Sequence, residues 1–216
     1  MLISTSILSI KENIQDKIEI LNNEDIDYIH LDIMDGKFVK NKTRKFNEII
    51  SDISKTTKKV DVHLMVKDVK KYVDKYLLIN PDIITFHVEA IDDIDSMIDY
   101  IKSHNVKVGL AIKPNTSLED LSFYLDKIDV VLVMSVEPGM GGQEFILDME
   151  EKIDELRLLK DAYKYNYMIE VDGGINNKTL INTLNADMIV VGSYITNSND
   201  YKKQINILRE LIKKYE

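Results

Sequence analysis

Short runs of β-branched and aliphatic residues alternate along this chain with longer stretches whose apolar residues recur every three or four positions. The short runs read as strands at 2–8 (LISTSIL), 28–34 (YIHLDIM), 59–66 (KVDVHLMV), 82–88 (DIITFHV), 107–113 (KVGLAIK), 130–136 (VVLVMSV), 167–172 (YMIEVD) and 188–193 (MIVVGS). Between them the spacing predicts amphipathic helices. Val69, Tyr72, Val73, Tyr76 and Leu77 share one face, as do Met149, Ile153, Leu156, Leu159 and Tyr163; a last helix carries Ile205, Leu208, Leu211 and Tyr215. Eight strand–helix units in 216 residues leave about 27 residues for each, which suits short loops. The order predicts an α/β fold, a closed (β/α)8 TIM barrel. An open doubly wound sheet also alternates, but it does not demand an eighth strand and a closing helix. No linker, low-complexity tract or change of composition interrupts the pattern, so residues 1–216 are expected to form a single barrel domain.

Composition narrows the chemistry. The chain is 44% hydrophobic and 30% charged, the balance of a globule with a real core. A net charge of −9 gives no electrostatic reason to bind nucleic acid or an anionic membrane. No apolar run approaches the roughly 18 residues that cross a bilayer. The start, MLISTSIL, has no basic residue before Lys11, which argues against a secretory signal, so a cytoplasmic location is expected. With no cysteine there are no disulfides, thiolate ligands or thiol nucleophiles, and imidazoles and carboxylates are the strong ligands that remain. The histidines are His30, His63, His87 and His104.

Catalytic groups of such barrels sit at the carboxyl ends of strands, facing the mouth. In YIHLDIMD, alternation puts His30, Asp32 and Met34 on one face and Ile29, Leu31 and Ile33 on the other. His63 in DVHLM and Asp172 in EVDGG satisfy the same position test. Taken singly, a strand histidine reads as a hydrogen-bonded core residue and an Asp before Gly-Gly as a turn acid. Together, two carboxylates buried at one mouth need a cation or shared protons, since an unpaired buried carboxylate costs several kcal/mol. The donor set suits one divalent ion of Zn, Fe, Mn or Co. Met34, Met65 and Met134 occupy late-strand positions beside these groups, either as core filling or as ligand lining. Six of the eight glycines fall in three loops after strands: Gly139, Gly141 and Gly142; Gly173 and Gly174; and Gly192. Such loops let backbone N–H groups approach an anion, the local device an acidic protein needs. His87 in TFHVE could point inward but has no partner pattern of a ligand, and His104 falls near a helix end. Asp61 reads as an inward acid with an unnamed partner on the barrel floor, and the closing KKYE as a helix terminus.

The strings SILS, HLDIMDGKFVKN, DVHLMV, MSVEPGMGGQEF, EVDGG and VVGS, in this order, resemble the ribulose-phosphate 3-epimerase family over nearly the whole chain. The resemblance implies a phosphate-binding (β/α)8 barrel acting on a small-molecule ketose phosphate. By similarity, His30, Asp32, His63 and Asp172 hold the metal, and Asp32 and Asp172 form the acid/base pair. His63 also contacts substrate, Ser6 hydrogen-bonds the sugar, and Met34, Met65 and Met134 pack round the reacting carbons. Gly142, Gly174, Gly192 and Ser193 help cradle the phosphate, with the loop carrying Gly139 and Gly141 folding over it and Gly173 beside it. The family is generally homo-oligomeric, and no organic cofactor is implied. The chain departs from the usual pattern after its second strand, where FVKN and KTRKF stand for FVPN and a glycine–proline stretch. Lys40, Arg44 and Lys45 are therefore expected to add positive charge near the mouth; Met140 and Thr5 replace a common phenylalanine and proline. Alternatives are a sister epimerase of a six-carbon ketose phosphate such as D-allulose 6-phosphate, a metal-dependent aldol lyase and a non-catalytic sugar-phosphate sensor. No D-x-K-x-x-D cluster supports the lyase, and binding alone does not need two opposed acids.

Overall fold

The computed structural model describes residues 1–215, so Glu216 of the KKYE end lies outside them. Eight parallel strands close into a barrel in chain order. They are β1 (Leu2–Ser6), β2 (Tyr28–Met34), β3 (Lys59–Met65), β4 (Ile83–His87), β5 (Lys107–Ile112), β6 (Val130–Met134), β7 (Met168–Asp172) and β8 (Met188–Val191). Helices α1 (Ile14–Asn22), α2 (Phe46–Ile53), α3 (Val69–Tyr76), α4 (Ile94–Lys102) and α5 (Met149–Tyr163) form the outer layer, with α6 (Ser193–Thr196) and α7 (Tyr201–Tyr215) after β8. No helix among the described residues is long and apolar enough to cross a membrane.

Each strand is buried on both faces, which is why its apolar run is nearly continuous. One set of residues, including Ile29, Leu31, Val62, Leu64, Val131 and Ile189, packs outward against the helices. The other set fills the interior in layers drawn from alternate strands. The floor layer comes from the even strands, with Tyr28, Ile83, Val130 and Met188 in one apolar cluster. Above it the register brings the interior groups Asp61 beside His30, His63 beside Asp32 and Asp172 beside Met134. Polar interior groups thus come from β1 to β4 and β7, facing Ala111, Leu132 and Val190 of β5, β6 and β8.

A fourfold device ties down the strand starts. Asp27, Asp82, Asp129 and Asp187 each stand immediately before or at the threshold of an even strand. Their carboxylates accept the N–H groups of Ile3, Val60, Val108 and Ile169, at 2.9, 3.0, 2.9 and 2.9 Å. Each aspartate's own N–H donates back to the carbonyl of that same residue, at 2.9, 2.8, 2.9 and 2.8 Å. The strand starts at the barrel floor therefore leave no orphan amide at these positions.

Two of the expected strand–helix units differ. A 3-10 turn at Leu118–Leu121 follows β5, and another at Leu180–Thr183 follows β7, where helices were expected. In the first segment Pro114, Asn115, Thr116 and Ser117 are weak helix formers. In the second, the Asn176 and Thr179 side chains bond backbone groups and stabilise turns in competition with a helix. Several strands also end one or two residues before their apolar runs do, since the mouth residues bend into loops. Leu77 opens a 3-10 turn beyond α3. Tyr163 and Tyr215, expected on buried helix faces, are exposed at helix ends.

Candidate active site

Strand parity delivers the central cluster. His30 and Asp32 from β2, His63 from β3 and Asp172 from β7 bring one ligand atom each within 4.8 Å of one another. Asp32 Oδ1 lies 3.6 Å from both His30 Nε2 and His63 Nδ1. Asp172 Oδ2 lies 3.9 and 3.7 Å from the same two nitrogens. Those nitrogens are buried and have no hydrogen-bond partner. The separations are too long for hydrogen bonds and close to the roughly 3.3 Å edge of a tetrahedron whose ligands lie about 2.0–2.1 Å from a central cation. Two bare imidazole nitrogens and two carboxylate oxygens converging on one point fit a divalent ion of borderline character.

Asp32 and His30 are braced from behind. Ser6 Oγ donates to Asp32 Oδ2 at 2.6 Å and frees Oδ1 to face the cluster. Asp61, the inward acid of the floor, now has its partners: His30 Nδ1 at 2.6 Å and Ser4 Oγ at 3.1 Å. A carboxylate behind a ligating histidine fixes its ring and tautomer. Glu170 is wholly buried beside Asp61 with both oxygens unpartnered. Burial and then the Asp61 charge push its pKa well above the usual carboxylate range.

The two carboxylates of the cluster are driven apart. Burial raises the Asp172 pKa and the charge of Asp32 adds to it, bringing it to about 6. Burial opposes ionisation of Asp32 too, but His30 and His63 overcome it and hold its carboxyl far below the usual range. One acid and one base side by side is the arrangement proton transfer needs.

The other expected residues fall round this cluster. Ser6, Met65 and Met134 line a single cavity with Asp32 and Asp172. Gly139, Gly141 and Gly142 close it on one side, and Gly173, Gly174, Gly192 and Ser193 on another. Met34 lines the outer mouth with Met140 and Lys42. At Gly174 a Cβ would fall 2.3 Å from Phe145 N, whereas at Gly142, with φ +76°, it would meet nothing within 4 Å. The backbone is thus open toward the space an anion would take. Lys178 lines the adjoining outer cavity beside Gly142, Gly174 and Ser193.

The expected positive charge of the β2 loop is arranged differently. Arg44 is paired with Asp52, and Lys45 sits at the start of α2, its backbone N–H donating to Glu48. Lys11 and Lys42 line the mouth, and Lys40 does not. Sequence reasoning allowed His87 an inward position but found it no partner, and it left out Glu89. His87 Nε2 lies 2.9 Å from His63 Nε2, and His87 Nδ1 lies 3.1 Å from Glu89 Oε2. The signal was present, because His87 is a late, inward position of β4 by the same parity that selects His63. His104 is exposed beside Tyr100, away from the site.

Fold and site together define a barrel enzyme of the phosphate-binding type. The crystal structure of 3-hexulose-6-phosphate synthase from Salmonella typhimurium shares the fold, with a TM-score of 0.71 and 17% identity over 100% of both chains. The chain belongs to the ribulose-phosphate 3 epimerase family, whose model matches residues 2–196, and it is an isomerase. Ribulose-phosphate 3-epimerase of Buchnera aphidicola is 41% identical over 87% of this chain and 84% of that protein. The Escherichia coli K12 protein of the same name is 39% identical over 87% of this chain and 85% of its own length.

Proposed function

We propose that this chain is a metal-dependent 3-epimerase that interconverts D-ribulose 5-phosphate and D-xylulose 5-phosphate by two-base proton transfer through a cis-enediolate. The observation that carries the reading is the pair Asp32 and Asp172, entering one cavity from β2 and β7 with their pKa values driven in opposite directions. Inverting a carbon beside a ketone means removing its weakly acidic proton from one face and returning a proton to the other. Two carboxylates from separate strands serve both faces without either having to move. Asp32, the ionised member of the pair, takes the proton; Asp172 returns one, and the roles reverse in the opposite direction.

His30, Asp32, His63 and Asp172 would hold a divalent ion of Zn, Fe, Mn or Co, which supplies Lewis-acid stabilisation of the charge developing on the substrate oxygens. Ser6, braced against Asp32, orients the sugar. The thioethers of Met65 and Met134 wall the reacting carbons without offering an exchangeable proton, and Met34 stands farther out at the mouth. Gly142, Gly174, Gly192 and Ser193 cradle the phosphate, with Lys178 as the cation next to it, and the loop of Gly139 and Gly141 covers the substrate while Gly173 lets the chain turn beside it.

The test incubates the metal-loaded protein with D-ribulose 5-phosphate in deuterated water and follows position 3 by NMR. Exchange with appearance of D-xylulose 5-phosphate, lost in Asp32→Asn and Asp172→Asn, is the expected result. Exchange only with a six-carbon ketose phosphate such as D-allulose 6-phosphate would keep the mechanism and replace the substrate. Silence on both would overturn the reading in favour of a sensor.

A further inference from the structure

We infer that His87 and Glu89 are positioning residues that set the tautomer of His63, leaving its Nδ1 lone pair aimed between Asp32 and Asp172. The inference rests on the reading of this cluster as a cation site, but its test needs no turnover.

The chain of protons can be followed from its outer end. Glu89 Oε1 accepts the Lys113 N–H at 2.9 Å and the Thr116 hydroxyl. These donors, and the proton on His87, overcome the opposing effect of burial and hold the Glu89 carboxyl at about 2, so it is an acceptor only. Its other oxygen lies 3.1 Å from His87 Nδ1, which therefore carries the hydrogen. The opposite arrangement, with His87 Nε2 donating, would put the His63 proton on Nδ1, a buried atom with no partner, so it is the His87 Nε2 that is bare. That Nε2 sits 2.9 Å from His63 Nε2. Two bare nitrogens at this distance would repel, so His63 Nε2 donates and His63 Nδ1 is left without a proton. This Nδ1 is the buried atom with no protein partner, 3.6 and 3.7 Å from the carboxylates of Asp32 and Asp172.

The relay is needed because of where the acid stands. His63 lies beside Thr85 in the β3–β4 register, while Glu89 falls beyond the end of β4, in the turn Val88–Ala90. The His87 ring spans the gap. On the opposite side of the cluster Asp61 reaches His30 Nδ1 directly and achieves the same orientation in one step. Phe38, from the loop after β2, packs on the His87 ring at 4.8 Å between centroids and carries Lys113 over its own ring at 4.2 Å. His87 is thereby wholly buried, and Glu89 and His63 are its hydrogen-bonding partners.

With four histidines in the chain, long-range nitrogen–proton NMR of the full chain labelled with ¹⁵N-histidine resolves each ring. In the metal-free protein at pH 8, His63 should appear as the Nε2–H tautomer. Glu89→Gln, which can donate as well as accept, should release it into a mixture of tautomers. The same variant should lower the affinity for Zn²⁺ alone, read by competition with a chromophoric chelator, by roughly 10- to 100-fold. A wild-type His63 protonated at Nδ1 would overturn the inference, and this result stands even if the variant fails to fold. So would a Glu89→Gln protein that keeps both the tautomer and the Zn²⁺ affinity of the wild type. A locked tautomer in a protein that epimerises neither substrate would sink the proposed function and leave this inference intact.

Discussion

Replacing Asp172 by asparagine should abolish proton transfer and yet make the metal-free protein more stable at neutral pH. Burial and the adjacent Asp32 raise the Asp172 pKa from 3.8 to about 6 in the folded chain. A folded-state pKa above the unfolded value means that the native state binds the proton more tightly. The stabilisation this gives is complete below about pH 4 and is lost as the pH rises through about 6. At roughly 1.4 kcal/mol per unit, about 2 kcal/mol disappears between pH 4.5 and 7.5. Asparagine has nothing to ionise and escapes that loss. Urea unfolding in the presence of a chelator measures the gap directly. The variant should gain about 2 kcal/mol on the wild type between those two pH values, a midpoint shift of roughly 1 M at a slope of about 2 kcal/mol/M. Adding Zn²⁺ at 100 times its Kd should return about 2.7 kcal/mol to the wild type and less to the variant, which lacks one ligand. A gap that does not change with pH would refute the raised pKa of Asp172.

Two further outcomes test the frame and the cradle. Asp129→Ala removes the acceptor of the Val108 N–H at a strand start and should cost about 1–2 kcal/mol in urea unfolding, with epimerisation kinetics unchanged; unaltered stability would refute the clamp. Gly174→Ala places a Cβ 2.3 Å from Phe145 N at φ +65°, so a loss of about 1–3 kcal/mol is expected, with KM for the sugar phosphate raised and deuterium exchange into bound substrate retained. A KM equal to that of the wild type would remove Gly174 from the anion cradle.

The arrangement of the cluster shows how local and global information divide. Parity along a strand is a property of three or four consecutive residues, so YIHLDIMD alone puts His30, Asp32 and Met34 on one side, and DVHLM and EVDGG do the same for His63 and Asp172. The alternation of two periods, repeated eight times, similarly implies a closed barrel, and the glycines that cluster after the later strands are the ones that line the cavity of Asp32 and Asp172. Segment length and composition were weaker guides. The turn-forming residues after β5 and β7 do not support the helices that segment length suggests there, and of the charge expected near the mouth from the β2 loop, that of Arg44 is paired with Asp52.

What only the tertiary structure decided are relations between strands. The stagger of β3 on β4 chooses which inward residue of one meets which of the other, and so brings His87 against His63 across 24 residues of sequence. The register of β2 on β3 puts Asp61 behind His30, and closure of the ring carries Asp172 of β7 back to the imidazoles of β2 and β3. The four aspartates at the barrel floor look like ordinary loop acids until a neighbouring strand supplies the N–H each accepts. Alternation is dictated by the geometry of a single extended chain, whereas register and closure depend on packing all eight strands at once.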